Sequence, residues 1–349
     1  MTTTLTTALP EGAAAGPAGP LAVRTEGLVK TFGQLRAVDG IDIEVTPGQV
    51  FAVLGPNGAG KTTMLRMLAT LLPIDGGRAE IFGYDVRRRP HVVRQLLGVT
   101  GQYASVDENL TARENLYLFA RLLGVEKKQA RVTGVELLGR FGLEDAADRP
   151  ISKFSGGMRR RLDLAVSLIT RPPLIFLDEP TTGLDPRTRG QMWETIRDLV
   201  AQGCTVLLTT QYLDEADQLA DRIAVIDRGV KVAEGTPDQL KSSIGSSTLH
   251  LRIADPAYLQ EAATILARVL PDEPVLTPEA GGISVPLNDA DQAAEALIAL
   301  RQAEISVASV SVAKPTLDEV FLALTGHDTN EDAAPTDHTD DNLELEVAR

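Results

Sequence analysis

A glycine-rich stretch carries the clearest chemical signal in this chain of 349 residues. It reads Gly55-Pro56-Asn57-Gly58-Ala59-Gly60-Lys61-Thr62 and fits the spacing G-x-x-x-x-G-K-[ST]. Glycines let the backbone approach a phosphate closely, and the N–H groups at the following helix start attract an anion. We expect Lys61 to contact the β- and γ-phosphates of a nucleotide, the Thr62 hydroxyl to bind Mg²⁺, and Thr63 to add a phosphate contact. A chance Lys-Thr pair after a turn is the alternative, and the flanking apolar strand and helix argue against it.

Two adjacent carboxylates, Asp178 and Glu179, follow a second apolar run at 174–177. At the end of a strand they repel each other and contribute nothing to folding. We expect Asp178 to hold Mg²⁺, directly or through water, and Glu179 to polarise the attacking water as catalytic base. The alternative is that the two acids cap a helix at Pro180.

A turn of small residues, Ser155-Gly156-Gly157, lies upstream of the acidic pair. At a helix start it presents N–H groups and a hydroxyl to an anion. With its neighbours Phe154, Met158 and Arg159, it resembles the signature loop of ABC ATPases, although that family usually has Leu and Gln where this chain has Phe154 and Met158. The resemblance implies that the loop completes the ATP site of a second copy in a head-to-tail homodimer. Taken alone, the three residues could be an ordinary helix start.

Three further positions match the ABC pattern. Gln102 matches the glutamine that touches Mg²⁺ and the water and faces the membrane partner. Asp185, in the stretch 183–186, matches the loop that crosses the dimer interface. Phe32 stands where the family keeps an aromatic ring that stacks on adenine. The alternatives are a solvated turn residue, a simple Asp-Pro turn and a core phenylalanine, respectively.

Position 211 departs from the family, because most members have a switch histidine where this chain has Gln211. The histidines of this chain stand elsewhere, at His91, His250, His327 and His338. A glutamine amide can donate a hydrogen bond to the γ-phosphate, but it cannot take up a proton as an imidazole can. We therefore expect Gln211 to position the γ-phosphate and Glu179 to carry most of the base role.

Gln211 and three stretches, at 99–108, 159–163 and 317–322, narrow the resemblance to the daunorubicin/doxorubicin-resistance type of ABC export ATPase. The match runs from about residue 22 to 327. It implies an ATP- and Mg²⁺-dependent ATPase that works as a pair beneath a separately encoded integral membrane permease and energises efflux of a hydrophobic drug. The alternatives are a non-transport ABC ATPase, lipid or polyketide export, a GTPase or small-molecule kinase, and a binding module that has lost hydrolysis.

The strands and helices predicted around these residues indicate an α/β fold. Apolar runs without polar alternation, such as 50–54 and 205–209, are typical of strands in a sheet covered on both faces. With the resemblance, they indicate a P-loop NTPase domain at 21–244 that has an antiparallel β-subdomain and a helical subdomain at about 103–170. The order βαββαβ at 248–326 predicts a small ferredoxin-like α+β domain. The resemblance implies a regulatory or dimer-stabilising role for it, and the alternative for 317–321 is an amphipathic helix that only covers this domain. Residues 1–20 and the acidic stretch 327–349 are expected to be disordered tails.

Charge and hydrophobicity indicate which partners and which location the chain can have. The net charge is −14, and from residue 328 onward eight acidic residues face one basic residue, so a nucleic-acid partner is not expected. The sequence holds no apolar run of 18 residues and no signal peptide, so we expect no direct membrane span and a cytoplasmic location on the inner face of the membrane. The single cysteine, Cys204, beside an apolar strand, predicts a buried and inert thiol.

Overall fold

The computed structural model describes residues 20–100, 106–243, 247–277, 282–287, 291–313 and 315–326. The chain divides into two compact units between Ser243 and Ile244. The predicted tails lie outside the described residues, apart from position 20, and so does Gln102. Among the described residues, no helix combines the length and the apolar character that crossing a membrane requires.

The first unit alternates strands and helices. Its strands are β1 (Val23–Phe32), β2 (Leu35–Val45), β3 (Val50–Leu54), β4 (Gly76–Ile81), β5 (Tyr84–Asp85), β6 (Leu97–Thr100), β7 (Leu174–Asp178), β8 (Thr205–Thr210), β9 (Arg222–Asp227) and β10 (Val230–Gly235). Its helices are α1 (Lys61–Leu68), α2 (Pro90–Leu96), α3 (Ala112–Leu122), α4 (Lys127–Arg140), α5 (Gly156–Ser167), α6 (Pro186–Ala201), α7 (Leu213–Leu219) and α8 (Pro237–Ser243).

A six-stranded sheet forms the centre of this unit, in the order β10-β9-β3-β8-β7-β6. Neighbouring strands of this sheet run parallel, except that β10 is antiparallel to β9. Every residue of β3, β7 and β8 is buried, as their continuous apolar character predicts. Because the strands run parallel, β3, β7 and β8 end at the same edge, where Leu54 pairs with Thr210 and Asp178 with Thr209. This edge brings the phosphate loop and the acidic pair together.

Two smaller parts complete the first unit and confirm the predicted fold class. An antiparallel sheet has the order β2-β1-β4-β5. Three helices, α3 to α5, lie between β6 and β7 and form the helical subdomain. Helix α3 begins with a capping box, in which the Thr111 hydroxyl accepts from the Glu114 N–H and the Glu114 carboxylate accepts from the Thr111 N–H.

The second unit has the predicted βαββαβ order. It consists of β11 (Thr248–Ile253), α9 (Leu259–Val269), β12 (Val275–Thr277), β13 (Gly282–Pro286), α10 (Asp291–Gln302), β14 (Val307–Ala313) and a last helix, α11 (Leu317–Thr325). The sheet order β12-β13-β11-β14, antiparallel throughout, is that of a ferredoxin-like fold. Its core packs Leu249 and Leu251 of β11 against Leu266 of α9 and Leu300 of α10.

Cys204 agrees with the prediction of an inert thiol. Its side chain is mostly buried just before β8, and its sulfur lies 3.5 Å from the Pro172 carbonyl oxygen. Burial raises the pKa of the thiol to about 11, against a weaker opposite effect of Arg140. The thiol is therefore protonated at neutral pH and is a poor nucleophile.

Candidate functional site

The phosphate loop connects β3 to α1, and close backbone approach requires two of its glycines. A Cβ atom at Gly55 would overlap the Ile226 carbonyl oxygen, and one at Gly60 would overlap the Ala37 carbonyl oxygen. Gly60 is also left-handed, with φ of 101°, and it forms the N-cap of α1 without a side chain. The first turn of α1 therefore faces the loop without a side-chain cap or an acidic residue, which suits an anion.

Lys61 is buried at the centre of this loop. Its ammonium group donates to the carbonyl oxygens of Gly55 at 2.8 Å and Pro56 at 2.9 Å, and it lies 3.6 Å from Glu179 Oε1. Burial lowers the pKa of Lys61, and the charges of Glu179 and Asp178 partly oppose that effect. A cation in this position can neutralise either the two acids or a bound phosphate.

Asp178 joins the end of β7 to α1 and β8. Its Oδ1 accepts hydrogen bonds from Thr62 Oγ1 at 3.0 Å and from Thr209 Oγ1 at 2.5 Å. A hydroxyl oxygen and a carboxylate oxygen thus lie side by side at the sheet edge. In nucleotide sites Mg²⁺ binds only a few protein oxygens, and phosphates and waters occupy its other coordination positions. Thr62 and Asp178 fit that role.

Glu179 is held in a left-handed conformation, with φ of 48°. Its N–H lies 3.1 Å from the Thr209 carbonyl oxygen and 3.2 Å from the Thr209 hydroxyl, and its Oε2 accepts from Thr182 Oγ1 at 3.2 Å. The Arg160 guanidinium of α5 donates to the Glu179 carbonyl oxygen at 3.0 Å. Contacts from three segments therefore fix a strained backbone at the predicted catalytic base, which is where such strain is common.

The Ser155 turn contacts the Asp185 loop within the same chain. Ser155 caps α5 by accepting from the Met158 N–H at 3.3 Å, and both Ser155 and Gly156 are exposed. Gly157 lies so close to the Thr188 methyl group that a Cβ atom would overlap it. Asp185 caps α6 by accepting from the N–H and hydroxyl of Thr188, and these hydrogen bonds lower the pKa of Asp185.

Solved structures share the fold of the greater part of this chain. An ATP-binding subunit of an ABC transporter superimposes with a TM-score of 0.58 at 26% sequence identity, over 64% of this chain and 93% of that chain. A dimeric ATP-binding cassette bound to ADP and phosphate superimposes with a TM-score of 0.56 at 25% identity, over 61% of this chain and 98% of its own. The sequence profile of the ABC transporter family matches residues 38–182.

Relatives from two organisms match nearly the whole chain. The daunorubicin/doxorubicin resistance ATP-binding protein DrrA of Streptomyces peucetius is 54% identical over 88% of this chain and 93% of its own length. The chain belongs to the DrrA family of ABC ATP-binding proteins. The doxorubicin resistance ATP-binding protein DrrA of Mycobacterium tuberculosis is 43% identical over 87% of this chain and 94% of its own length. The profile for the C-terminal domain of DrrA1-3-like ATP-binding proteins matches residues 235–325.

The remaining predicted residues of this DrrA-family chain are Phe32, Gln211 and Gln102. Phe32, at the end of β1, is 45% exposed and so is not a core residue, and the Lys30 ammonium group lies 5.3 Å from its ring centroid. Gln211 is half-buried directly after β8, next to Thr210, whose carbonyl oxygen accepts from the Gly55 N–H at 3.2 Å. The predicted Mg²⁺ and water contact, Gln102, lies outside the described residues.

Sequence reasoning missed two residues that hold the DrrA-family site together. The Thr209 hydroxyl donates a hydrogen bond to Asp178 and accepts one from the Glu179 N–H. The Arg160 guanidinium donates to the Glu179 carbonyl oxygen. The position of Thr209, two residues before Gln211, was the available signal. Arg160 stood within a run of three arginines, which gave no sign of which one points toward the site.

Proposed function

We propose that this ABC ATPase energises the efflux of a hydrophobic drug through a separately encoded membrane permease. The observation that carries the proposal is the 54% identity to a daunorubicin/doxorubicin resistance ATP-binding protein across both units of the chain. The nucleotide domain is common to ABC proteins, but the similarity also includes the second unit. The profile of the DrrA1-3-like C-terminal domain matches that unit as well, which supports the more specific function.

ATP binding follows from the loop and its surroundings. The phosphate loop and Lys61 hold the phosphates, Thr63 adds a contact, and the exposed ring of Phe32 stacks on adenine. Thr62 and Asp178 hold Mg²⁺ through oxygens that already lie side by side, and Gln102 is proposed as a further contact. When bound, Mg²⁺ supplies positive charge to the phosphate oxygens.

Hydrolysis depends on Glu179 and Gln211. The Glu179 carboxylate takes the proton of the water as that water attacks the γ-phosphorus, and the bond from the γ-phosphorus to the bridging oxygen of ADP breaks. Lys61, 3.6 Å from Glu179, carries the positive charge that opposes the repulsion between the carboxylate and the phosphates. Gln211 donates a hydrogen bond to the γ-phosphate.

Two copies of the chain make the complete site in this proposal. Ser155, Gly156 and Gly157 of one copy bind the nucleotide of the other, and Asp185 lies at the interface. The exposure of Ser155 and Gly156 supports this arrangement, as does the similarity to a dimeric cassette bound to ADP and phosphate. The pair works on the inner face of the cell membrane by binding its permease.

The test is reconstitution with a candidate ABC permease from the same organism. We expect the two proteins to co-purify, and vesicles that hold both to move doxorubicin only with ATP and Mg²⁺. The control is the same permease with the Lys61→Ala chain, which should move none. GTP hydrolysis in preference to ATP, or a chain that hydrolyses ATP but neither binds the permease nor supports efflux, would refute the transport role.

Gln211 provides a narrower prediction. Changing Gln211 to Ala removes the hydrogen-bond donor to the γ-phosphate, so kcat should fall about tenfold, the effect of about 1.4 kcal/mol. Since no imidazole stands at this position, kcat of the unaltered chain should be flat between about pH 6.5 and 8. Steady-state ATPase assays across that range check both statements. Unchanged hydrolysis in the Ala variant would remove Gln211 from the mechanism.

A further inference from the structure

A buried polar cluster that the proposed chemistry does not use lies behind the Gln211 segment. Glu215 of α7 is fully buried, and its Oε1 accepts a hydrogen bond from Trp193 Nε1 of α6 at 3.3 Å. Thr181 is also fully buried. The Thr181 and Thr210 side chains interact with the same carboxyl group, but among the described residues neither the Thr181 hydroxyl nor Glu215 Oε2 has a hydrogen bond of full geometry. A buried polar group without a complete hydrogen bond is destabilising, so a movement that brings Thr181 and Glu215 into good hydrogen-bond geometry is favourable.

The positions of these residues connect the cluster to the site. Thr181 follows Glu179 by two residues, and Glu215 follows Gln211 by four residues, in the first turn of α7. Trp193 lies on α6, the helix that begins at the Asp185 loop. The segment after Glu179, helix α6 and helix α7 therefore come together at the Glu215 carboxyl group.

Contacts on either side of Trp193 join α6 to α7 in the same way. Arg189 pairs with Asp214 at 3.0 Å, and Arg197 donates to the Gln218 carbonyl oxygen at 3.0 Å. Arg189, Trp193 and Arg197 are four residues apart and therefore lie along one face of α6. The flanking contacts keep the two helices together, so the Glu215 carboxyl group can be altered without separating them.

We propose that Glu215 is a positioning residue for hydrolysis, because its carboxyl group holds the segment that carries Gln211 against the loop that carries Glu179. The inference rests on the proposed function, in which Gln211 and Glu179 both act at the γ-phosphate. A phosphate bound between them draws the two segments together, and the Thr181 hydroxyl then forms a complete hydrogen bond with the second oxygen of Glu215, an interaction that a Gln amide can also make. The catalytic base and the γ-phosphate donor are thereby fixed relative to each other.

The charge of the carboxyl group indicates which substitution should preserve this role. Burial raises the pKa of Glu215 and Asp214 raises it further, whereas contacts with Thr210, Thr181 and Trp193 lower it. The group is thus shifted toward its neutral acid form, which Gln imitates in shape and charge. Ala leaves the Trp193 N–H without its acceptor and removes the connection.

The experiment compares Glu215→Ala and Glu215→Gln in the full chain. We expect kcat for ATP in the Ala variant to fall about tenfold while the affinity for a fluorescent ATP analogue changes less than threefold, and kcat in the Gln variant to stay within threefold of the unaltered chain. The matched controls are Glu194→Ala and Glu194→Gln, at an exposed position of α6 next to Trp193, which should match the unaltered chain.

A second readout uses fluorescence. Trp193 is the single tryptophan of the chain, so its emission reports directly on the contact to Glu215. ATP with Mg²⁺ should change this emission in the unaltered chain and in Glu215→Gln, but not in Glu215→Ala. If the Ala variant fails to fold, Trp193→Phe, which keeps an aromatic ring but removes the N–H donor together with the five-membered ring, should reproduce the loss of kcat.

Three results would overturn the positioning role. They are a Glu215→Ala chain as active as its Glu194→Ala control, a Gln variant as inactive as the Ala variant, and a fall of ATP affinity as large as the fall of kcat. An unaltered chain that neither binds nor hydrolyses ATP would instead defeat the proposed function itself. The two failures are therefore separable.

Discussion

Replacing Glu179 by Gln is expected to lower kcat for ATP hydrolysis by about 10²- to 10⁴-fold, the usual contribution of a general base. The amide has the shape of the carboxylate and can still accept from the Thr182 hydroxyl, but it cannot take a proton from water. ATP affinity should be kept or improved, because one negative charge near the phosphates is lost while Lys61 remains. Single-turnover hydrolysis and a nucleotide titration measure the two effects separately.

The same variant also tests the pairing of two chains. With ATP bound and not hydrolysed, Glu179→Gln should form a dimer that sedimentation detects, and ADP should not support it. The control is Glu194→Gln, the same chemical change at an exposed position, which should hydrolyse ATP at the normal rate. Hydrolysis by Glu179→Gln within twofold of that control would assign the base role to another group.

The elements that form the site could be predicted because their signals are local. Continuous apolar runs determine the buried strands β3, β7 and β8, and the glycine spacing determines the loop that follows β3. Parallel pairing then brings the ends of these strands to one edge, so Asp178 and Lys61 come close without any further information. The βαββαβ order of the second unit follows from equally local patterns, and its antiparallel sheet confirms it.

Contacts between distant segments could not be predicted in this way. The Arg160 contact to the Glu179 carbonyl oxygen depends on where the packing of α5 on β6 places its side chains, and the Trp193 contact to Glu215 depends on how α6 packs beside α7. Neither pair has a spacing that a sequence pattern records. The left-handed backbone of Glu179 is likewise a result of packing, because no glycine marks the position. Sequence thus identifies the reacting groups, whereas tertiary structure shows what holds them.

Gly60→Ala should be the most damaging small substitution in the phosphate loop. The new Cβ atom would overlap the Ala37 carbonyl oxygen, and alanine at φ of 101° is strained in addition. Backbone cannot yield as a flexible side chain can, so α1 and the loop must move apart from β2. We expect the free energy of unfolding to fall by about 3 kcal/mol and ATP affinity to fall at least about tenfold. Thermal unfolding and titration with a fluorescent nucleotide measure these changes.

Gly58→Ala is the matched control, since it adds the same methyl group two residues earlier. Gly58 is also left-handed, with φ of 77°, but a Cβ atom there meets nothing within 4 Å. This variant therefore carries only the conformational strain within the protein, so its free energy of unfolding should fall by about 1–2 kcal/mol. If the two variants lose stability equally, backbone strain alone explains the need for glycine at position 60. A larger loss of stability in Gly60→Ala would show that the loop needs close contact between its backbone and Ala37.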